Sequence, residues 1–319
     1  MTTSTSKLDA KKLAAIKRDK FDIEQDDAPG SYFAATADGH QVYYNIWKPT
    51  GPVKARILAF HGLGEHVSRY EHVFTRFAES GILVKGMDWR GHGRTVQKNK
   101  DIPGFAHSFT QVFHDMIQLS NLSVDGVADE LNLPTFVVGF GHSMGGLLAL
   151  AFVENHRAII KNYKGVISQC PAIAPGKKLP GFLEFIIRLL GGVIPKVTQP
   201  NSLEADGLCS DEEIVVKYFK DPLNHGMISM QLAKDMIKTA DALQANAKSF
   251  VDPIIMYHNT RDRFTSAQAS QAWFNQIASA DKTYKAFTEE HQVEHEIHNE
   301  PSVNDSIITD YIAWINERI

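Results

Sequence analysis

Ser143 stands between two glycine-bearing flanks in Gly141-His142-Ser143-Met144-Gly145, a Gly-X-Ser-X-Gly spacing. A serine hydroxyl is a poor nucleophile at neutral pH. It does acyl-transfer chemistry only with a base beside it and a third group to orient that base. Phe136-Val137-Val138 on the left reads as a short buried strand. Leu147, Leu148, Leu150, Phe152 and Val153 on the right read as an apolar helix. A serine on the sharp turn between such elements is a nucleophile elbow, with its hydroxyl pushed outward.

When such an elbow sits on an α/β sheet, the acid and then the histidine follow the serine along the chain. Asp262, in "PIIMYHNTRDRF", falls just past the carboxyl end of an expected strand, where open α/β sheets place their sites. Asp252 would lie at the wrong end of that strand, and Asp88 precedes the serine and fits a loop role. His291, His295 and His298 all lie between the last strand and the final helix, so the residues alone leave three choices of base. His291-Gln292-Val293-Glu294-His295 also matches the His-X-X-Glu-His zinc pattern. That pattern needs a helix to bring both histidines to one face, and this stretch reads as a loop, so no metal is assigned. Main-chain N–H groups should stabilise the oxyanion. One belongs to Met144 after the nucleophile; the other is expected from Leu63, between Gly62 and Gly64.

The elements that must hold these residues begin with a hairpin. "SYFAATA" (31–37) and "QVYYNIW" (41–47) are strand-like and joined by Asp38-Gly39-His40. "ARILAFHG" (55–62) and "ILVKGMDW" (82–89) are further strands, with a helix near Tyr70–Ser80 between them. Residues 109–131 carry apolar positions at helical spacing. After the elbow come a strand at 165–172, another at 253–258, a helix near 266–278, a strand near 283–287 and a terminal helix over 303–319. A hairpin followed by alternating strands and helices predicts an α/β fold, with a mostly parallel central sheet covered on both faces. The alternation stops over residues 174–249, where helical patterns occur without a clear strand. This block reads as a helical cap inserted into a core of residues 31–173 and 250–319.

The bulk numbers agree with one large domain. The 319 residues are 43% hydrophobic and 22% charged, with a net charge of −4, which gives no nucleic-acid footprint. Two cysteines, Cys170 and Cys209, make no disulfide framework, and a reducing, cytoplasmic setting is the simpler reading. Residues 1–30 form a leader without an apolar signal region, read either as a short amphipathic helix over "LDAKKLAAIK" or as a mobile segment.

Taken together, "HGLGEHVSRY", "MDWRGHGRT", "GHSMGG", "KYFKDPL", "HNTRD" and "HEIHNEP" give the chain a resemblance to the monoacylglycerol lipase and lysophospholipase group of α/β-hydrolases, over roughly residues 30–318. The resemblance implies Ser143 as nucleophile, Asp262 as acid and His295 as base, with Leu63 and Met144 as oxyanion donors. It selects His295 because Glu300 follows at the family's spacing, ahead of a terminal helix with Tyr311 and Trp314. In relatives the glutamate and arginine of "HGLGEHVSR" help shape the pocket for the glycerol end, which implies Glu65 and Arg69 as substrate-binding residues here. Asn259 stands where glycine is usual, and Thr95 where serine is common. Asparagine tolerates a left-handed backbone, so the turn should survive.

The implied substrate is a monoacylglycerol or related acyl ester, cut through an acyl-enzyme without cofactor or metal. Lysophospholipids, small esters and a silent ligand-binding α/β-hydrolase are the competing readings. "FLEFIIRLL" (182–190) is apolar almost all round. It is either buried against the sheet domain or a lid that docks on a membrane or lipid-droplet surface and lines an acyl channel. No protein partner is implied.

Overall fold

A computed structural model of the chain describes residues 15–26, 32–122, 136–159, 162–201 and 204–319. An eight-stranded sheet runs in the order β1-β2-β4-β3-β5-β6-β9-β10. The hairpin β1 (Tyr32–Ala35) and β2 (Gln41–Trp47) is antiparallel, and β2 runs antiparallel to β4 (Ile82–Met87). From β4 onward every pairing is parallel, through β3 (Ala55–Phe60), β5 (Phe136–His142), β6 (Tyr163–Gln169), β9 (Ile254–Asn259) and β10 (Lys282–Phe287).

Residues along β3 are buried at every position, so the strand shows no polar face. Its side chains alternate between two cores, as a pleated strand requires. Leu58 and Phe60 join one core with α3 (Phe109–Asn121) and α4 (Met144–His156). Ile57 and Ala59 join the other, with α1 (Glu71–Glu79) and the final helix α9 (Asn304–Asn316). This doubly covered sheet is the arrangement expected from the alternation of elements.

Three features depart from the expected elements. A short helix α2 (Gly93–Asn99) follows the loop at Asp88, whose carboxylate accepts from Val67 N at 2.8 Å and Arg94 N at 2.8 Å. Its "GRTVQKN" sequence carries too few apolar residues to announce itself. α3 stops at Asn121, and the expected continuation to Leu131 lies outside the described residues. Between β6 and β9 lie α5 (Gly181–Leu190), α6 (Glu212–Lys220), α7 (Met230–Ala245) and a two-stranded antiparallel ribbon, β7 (Thr198–Pro200) with β8 (Met227–Ser229). Strands of three residues, one ending in proline, are too short to show alternation. The last helix before α9, α8 (Ala267–Gln276), follows β9.

The leader is tied down where it is described. Asp19 N donates to Lys220 O at 2.7 Å, and Asp26 pairs with Arg94 of α2. Residues 8–14 of the expected "LDAKKLAAIK" helix lie outside the described residues, and Ile16 and Lys17 at its end are not helical.

Candidate active site

Ser143 is the single residue between the end of β5 and the start of α4, with φ 56° and ψ −123°. Such a backbone costs a non-glycine residue on the order of 1–3 kcal/mol and survives only where neighbours enforce it. Here Ser143 N donates to Gln169 O at 2.9 Å, and its carbonyl accepts from Leu147 N and Ala172 N. The flanking glycines are required by contact. A Cβ at Gly141 would stand 2.1 Å from Gly145 O, and one at Gly145 would stand 2.0 Å from Phe60 O. The turn is thus clamped against the neighbouring strand β3, and Ser143 stays half-buried while both neighbours are buried.

Asp262 lies three residues past β9, in a turn closed by Asp262 N to Asn259 O at 3.1 Å. Asn259 itself makes the turn without a positive φ. The Asp262 carboxylate is saturated. Oδ1 accepts from Phe264 N and Thr265 N, while Oδ2 takes the Thr265 hydroxyl at 2.7 Å and His295 Nδ1 at 2.6 Å. Burial by itself would raise its pKa, but the His295 and His258 imidazoles hold it well below the usual carboxylate range. His258 was not anticipated; its Nε2 lies 3.4 Å from Asp262 Oδ2, with Thr265 Oγ1 wedged beside it at 3.2 Å. Only its position immediately before the turn could have drawn notice.

Among the three histidines, His295 is the one that reaches Asp262. His291 accepts from Thr288 N at 3.1 Å in a short turn, and His298 lies 3.0 Å from the Gln169 side chain and stacks on Tyr70. Gln292 takes a left-handed φ of 50°, so the His-X-X-Glu-His stretch is no helix. His291 and His295 share neither of the two groupings of potential metal ligands found among the described residues. His295 is 3% exposed; burial alone would lower its pKa, but Asp262, helped by Glu296 and Glu65, raises it above the ordinary value of 6.5. The inserted segment holds its main chain: His295 N donates to Gly207 O at 3.1 Å and Glu296 N to Leu208 O at 2.8 Å. His142, beside the serine, places Nε2 3.2 Å from His295 O.

Leu63 lies on the loop after β3. A Cβ on neighbouring Gly62 would stand 3.4 Å from Ser143 Cβ, so this loop approaches the serine closely. Gly64 turns with φ +75°, where a Cβ would meet His225 O at 2.1 Å. Met144 opens α4, so its N–H has no acceptor within the helix.

Glu65 and Arg69 point into protein. Glu65 Oε1 accepts from Gly62 N at 2.6 Å and the Tyr70 hydroxyl at 2.6 Å, and Oε2 accepts from Arg69. Burial disfavours charge on both, but Arg69 holds the Glu65 carboxyl low, and Glu296 together with Glu65 holds the Arg69 guanidinium high. Cys170 and Cys209 are free thiols, both buried.

The chain is similar to several known proteins. A family model described as serine aminopeptidase, S33, matches residues 51–302. An abhydrolase domain-containing protein of Dictyostelium discoideum is 34% identical over 285 residues, covering 89% of this chain; the chain spans 28% of that protein's length. A monoacylglycerol lipase of Mycolicibacterium smegmatis is 27% identical over 88% of this chain and 95% of its own. The solved structure of a soluble variant of monoglyceride lipase from Saccharomyces cerevisiae, in complex with a substrate analog, superposes with a TM-score of 0.77 at 21% identity, over 93% of this chain and 98% of that one. The likeness shows a shared α/β-hydrolase fold.

Proposed function

The chain belongs to the family described as serine aminopeptidase, S33, and from that premise we propose that it is a serine hydrolase cleaving monoacylglycerols to fatty acid and glycerol. The observation that carries the reading is the 2.6 Å bond between His295 Nδ1 and Asp262 Oδ2, on loops that meet beside the strained Ser143 turn. That bond fixes the imidazole tautomer with the proton on Nδ1, leaving Nε2 as the base. An ester rather than a peptide substrate is supported by the relatives named as monoacylglycerol and monoglyceride lipases.

In this mechanism Ser143 Oγ attacks the ester carbonyl while His295 Nε2 takes its proton. Asp262 remains ionised and stabilises the imidazolium. The Leu63 and Met144 amides receive the oxyanion; one such donor is worth about 3–4 kcal/mol in the transition state. The C–O bond to glycerol breaks as His295 returns the proton to the leaving oxygen. Water, deprotonated by the same nitrogen, then attacks the acyl-serine and frees the fatty acid. Glu65 and Arg69 shape the glycerol end indirectly, by bracing the loop that carries Leu63, since their charges are already paired with protein groups.

Residues 174–249 act as the cap, and α5 as its lid. Phe182, Phe185 and Leu189 are 76%, 61% and 58% exposed, while Ile187 packs with Met230 and Ala233 of α7. Val193 and Val197, after the helix, extend the apolar surface. A patch of this kind suits a membrane or lipid-droplet surface. The contact proposed is peripheral; among the described residues no helix is long and apolar enough to cross a membrane.

A substrate panel tests the reading. Purified wild type should turn over monoacylglycerol faster than lysophosphatidylcholine or a short-chain ester, and Ser143→Ala should turn over none. Preference for the lysophospholipid would replace the substrate, and ester hydrolysis by Ser143→Ala would remove the nucleophile.

A further inference from the structure

The loop that carries His295 holds a second acid that the mechanism above leaves idle. Glu296 is 2% exposed, yet both of its oxygens are engaged. Arg69 approaches as a fork, Nη1 to Oε1 at 2.7 Å and Nη2 to Oε2 at 2.7 Å, and Asn299 Nδ2 donates to Oε2 at 2.8 Å. The same Arg69 Nη1 donates to Glu65, whose other oxygen holds the Gly62 amide. The circuit closes on the far side, where the Tyr70 hydroxyl reaches Glu65 and lies 3.1 Å from His142 Nδ1. Arg69 is covered from the insert by the Tyr218 ring of α6, 4.7 Å from the guanidinium carbon.

A buried ion pair is weak support for stability, because desolvation offsets most of the attraction. What a two-point fork between planar groups adds is orientation. Orientation matters here because the two loops it joins bear the base and an oxyanion donor, which must keep their spacing to within about 0.5 Å. Resting on the roles given above to Ser143, Asp262, His295 and Leu63, we propose that Glu296 and Arg69 are positioning residues that lock the base loop to the oxyanion loop.

The pair also sets the charge around the base. Groups acting on His295 are Asp262, with His258 and Cys170 behind it, Glu65 from the loop after β3, His142 from the elbow, and Glu296 on its own loop; Arg69 acts through its bonds to Glu65 and Glu296, and Glu294 pairs instead with Arg261. Neutralising Glu296 withdraws support from the imidazolium, so the base stays neutral to lower pH. Removing the Arg69 charge does the reverse.

The test compares Glu296→Gln, Arg69→Met and Arg69→Lys with wild type, each checked for native circular dichroism. Readouts are kcat and KM on a soluble ester, the pH profile of kcat/KM, and the rate of fluorophosphonate labelling. Glu296→Gln should lower kcat and labelling at least tenfold with KM within twofold, and move the acidic limb to lower pH. Arg69→Met should lower kcat similarly and move that limb to higher pH. Arg69→Lys keeps the charge and loses the fork, so its limb should match wild type while kcat stays low. Wild-type kcat in Glu296→Gln or Arg69→Lys overturns the proposal, as does a fall in kcat with an unmoved limb in both charge-removing variants. Should Arg69→Met not fold, the glutamine and lysine variants decide by the same readouts. Activity in His295→Ala is read separately, since it would sink the assignment of the base whatever Glu296 does.

Discussion

At the scale of single residues, the arrangement around Asp262 makes definite demands. Ser143→Ala should cost about a million-fold in kcat, the loss typical when a triad nucleophile is deleted. His295→Ala should be comparably inactive. His291→Ala and His298→Ala should keep the chemistry, because their partners are Thr288 and Gln169, not Asp262. The pH profile follows from the raised pKa of His295. The base works when neutral, so kcat/KM should climb with pH and reach half its plateau above 6.5, and a half-point below 6.5 would contradict the Asp262–His295 pairing. Asp262→Asn takes away the charge that favours the imidazolium, so the residual activity should have its limb at lower pH. Stability is affected separately: breaking a buried pair outright typically destabilises by about 3–5 kcal/mol, and because Glu296→Ala leaves Arg69 its bond to Glu65, urea unfolding should show a loss no larger than the lower end of that range. Residue types and spacing put Ser143, Asp262 and the three histidines in view, since their order along the chain is one-dimensional information. The partners His258, Thr265 and Glu296 were not legible, because each acts through a contact between loops that only the folded chain brings together.

At the scale of elements, the sheet and the helical character of the insert were readable, and the ribbon of β7 and β8 inside the insert was not. β3, β4 and β9 are buried throughout, and continuous apolar runs ending in glycine or a polar turn announce such strands. β7 and β8 draw their stability from pairing, with Gly104 O accepting from Ser229 N at 3.0 Å, and have no pattern to show. α5 posed a choice between burial and exposure, and it divides: one residue, Ile187, is fully buried while Phe182 and Phe185 face outward. Replacing both phenylalanines with glutamate should therefore leave stability and soluble-ester hydrolysis near wild type. Sedimentation with phosphatidylcholine vesicles should fall, and unchanged vesicle binding would show that α5 does not dock. The elbow is the opposite kind of element, with no slack. Overpacking usually costs about 1–3 kcal/mol, and Gly145→Ala should sit at or beyond the upper end because its new Cβ meets rigid main chain at Phe60 and His61. A melting temperature equal to wild type would mean that the turn can relax.

At the scale of the whole molecule, the leader and the insert are both stitched to the sheet domain. Asp26 and Arg94 are each under a tenth exposed at the side chain, and Phe21 lies 5.8 Å beneath the same guanidinium. Deleting residues 1–26 should lower the melting temperature without altering KM for a short ester, a separation that calorimetry and steady-state kinetics resolve. The insert is stitched unevenly. Residues 204–210 hold the His295 loop through Gly207 O and Leu208 O and through Ser210 on Glu300, and they reach the Asp262 loop through the pair of Asp206 with Arg263. α5, by contrast, leans on α7. An attempt to retune chain-length preference by transplanting a foreign cap has a natural seam as a result. Exchanging the stretch around α5 swaps the roof, while a transplant that also takes residues 204–210 pulls out the post on which the imidazole hangs, and the chimera loses its chemistry together with its old selectivity.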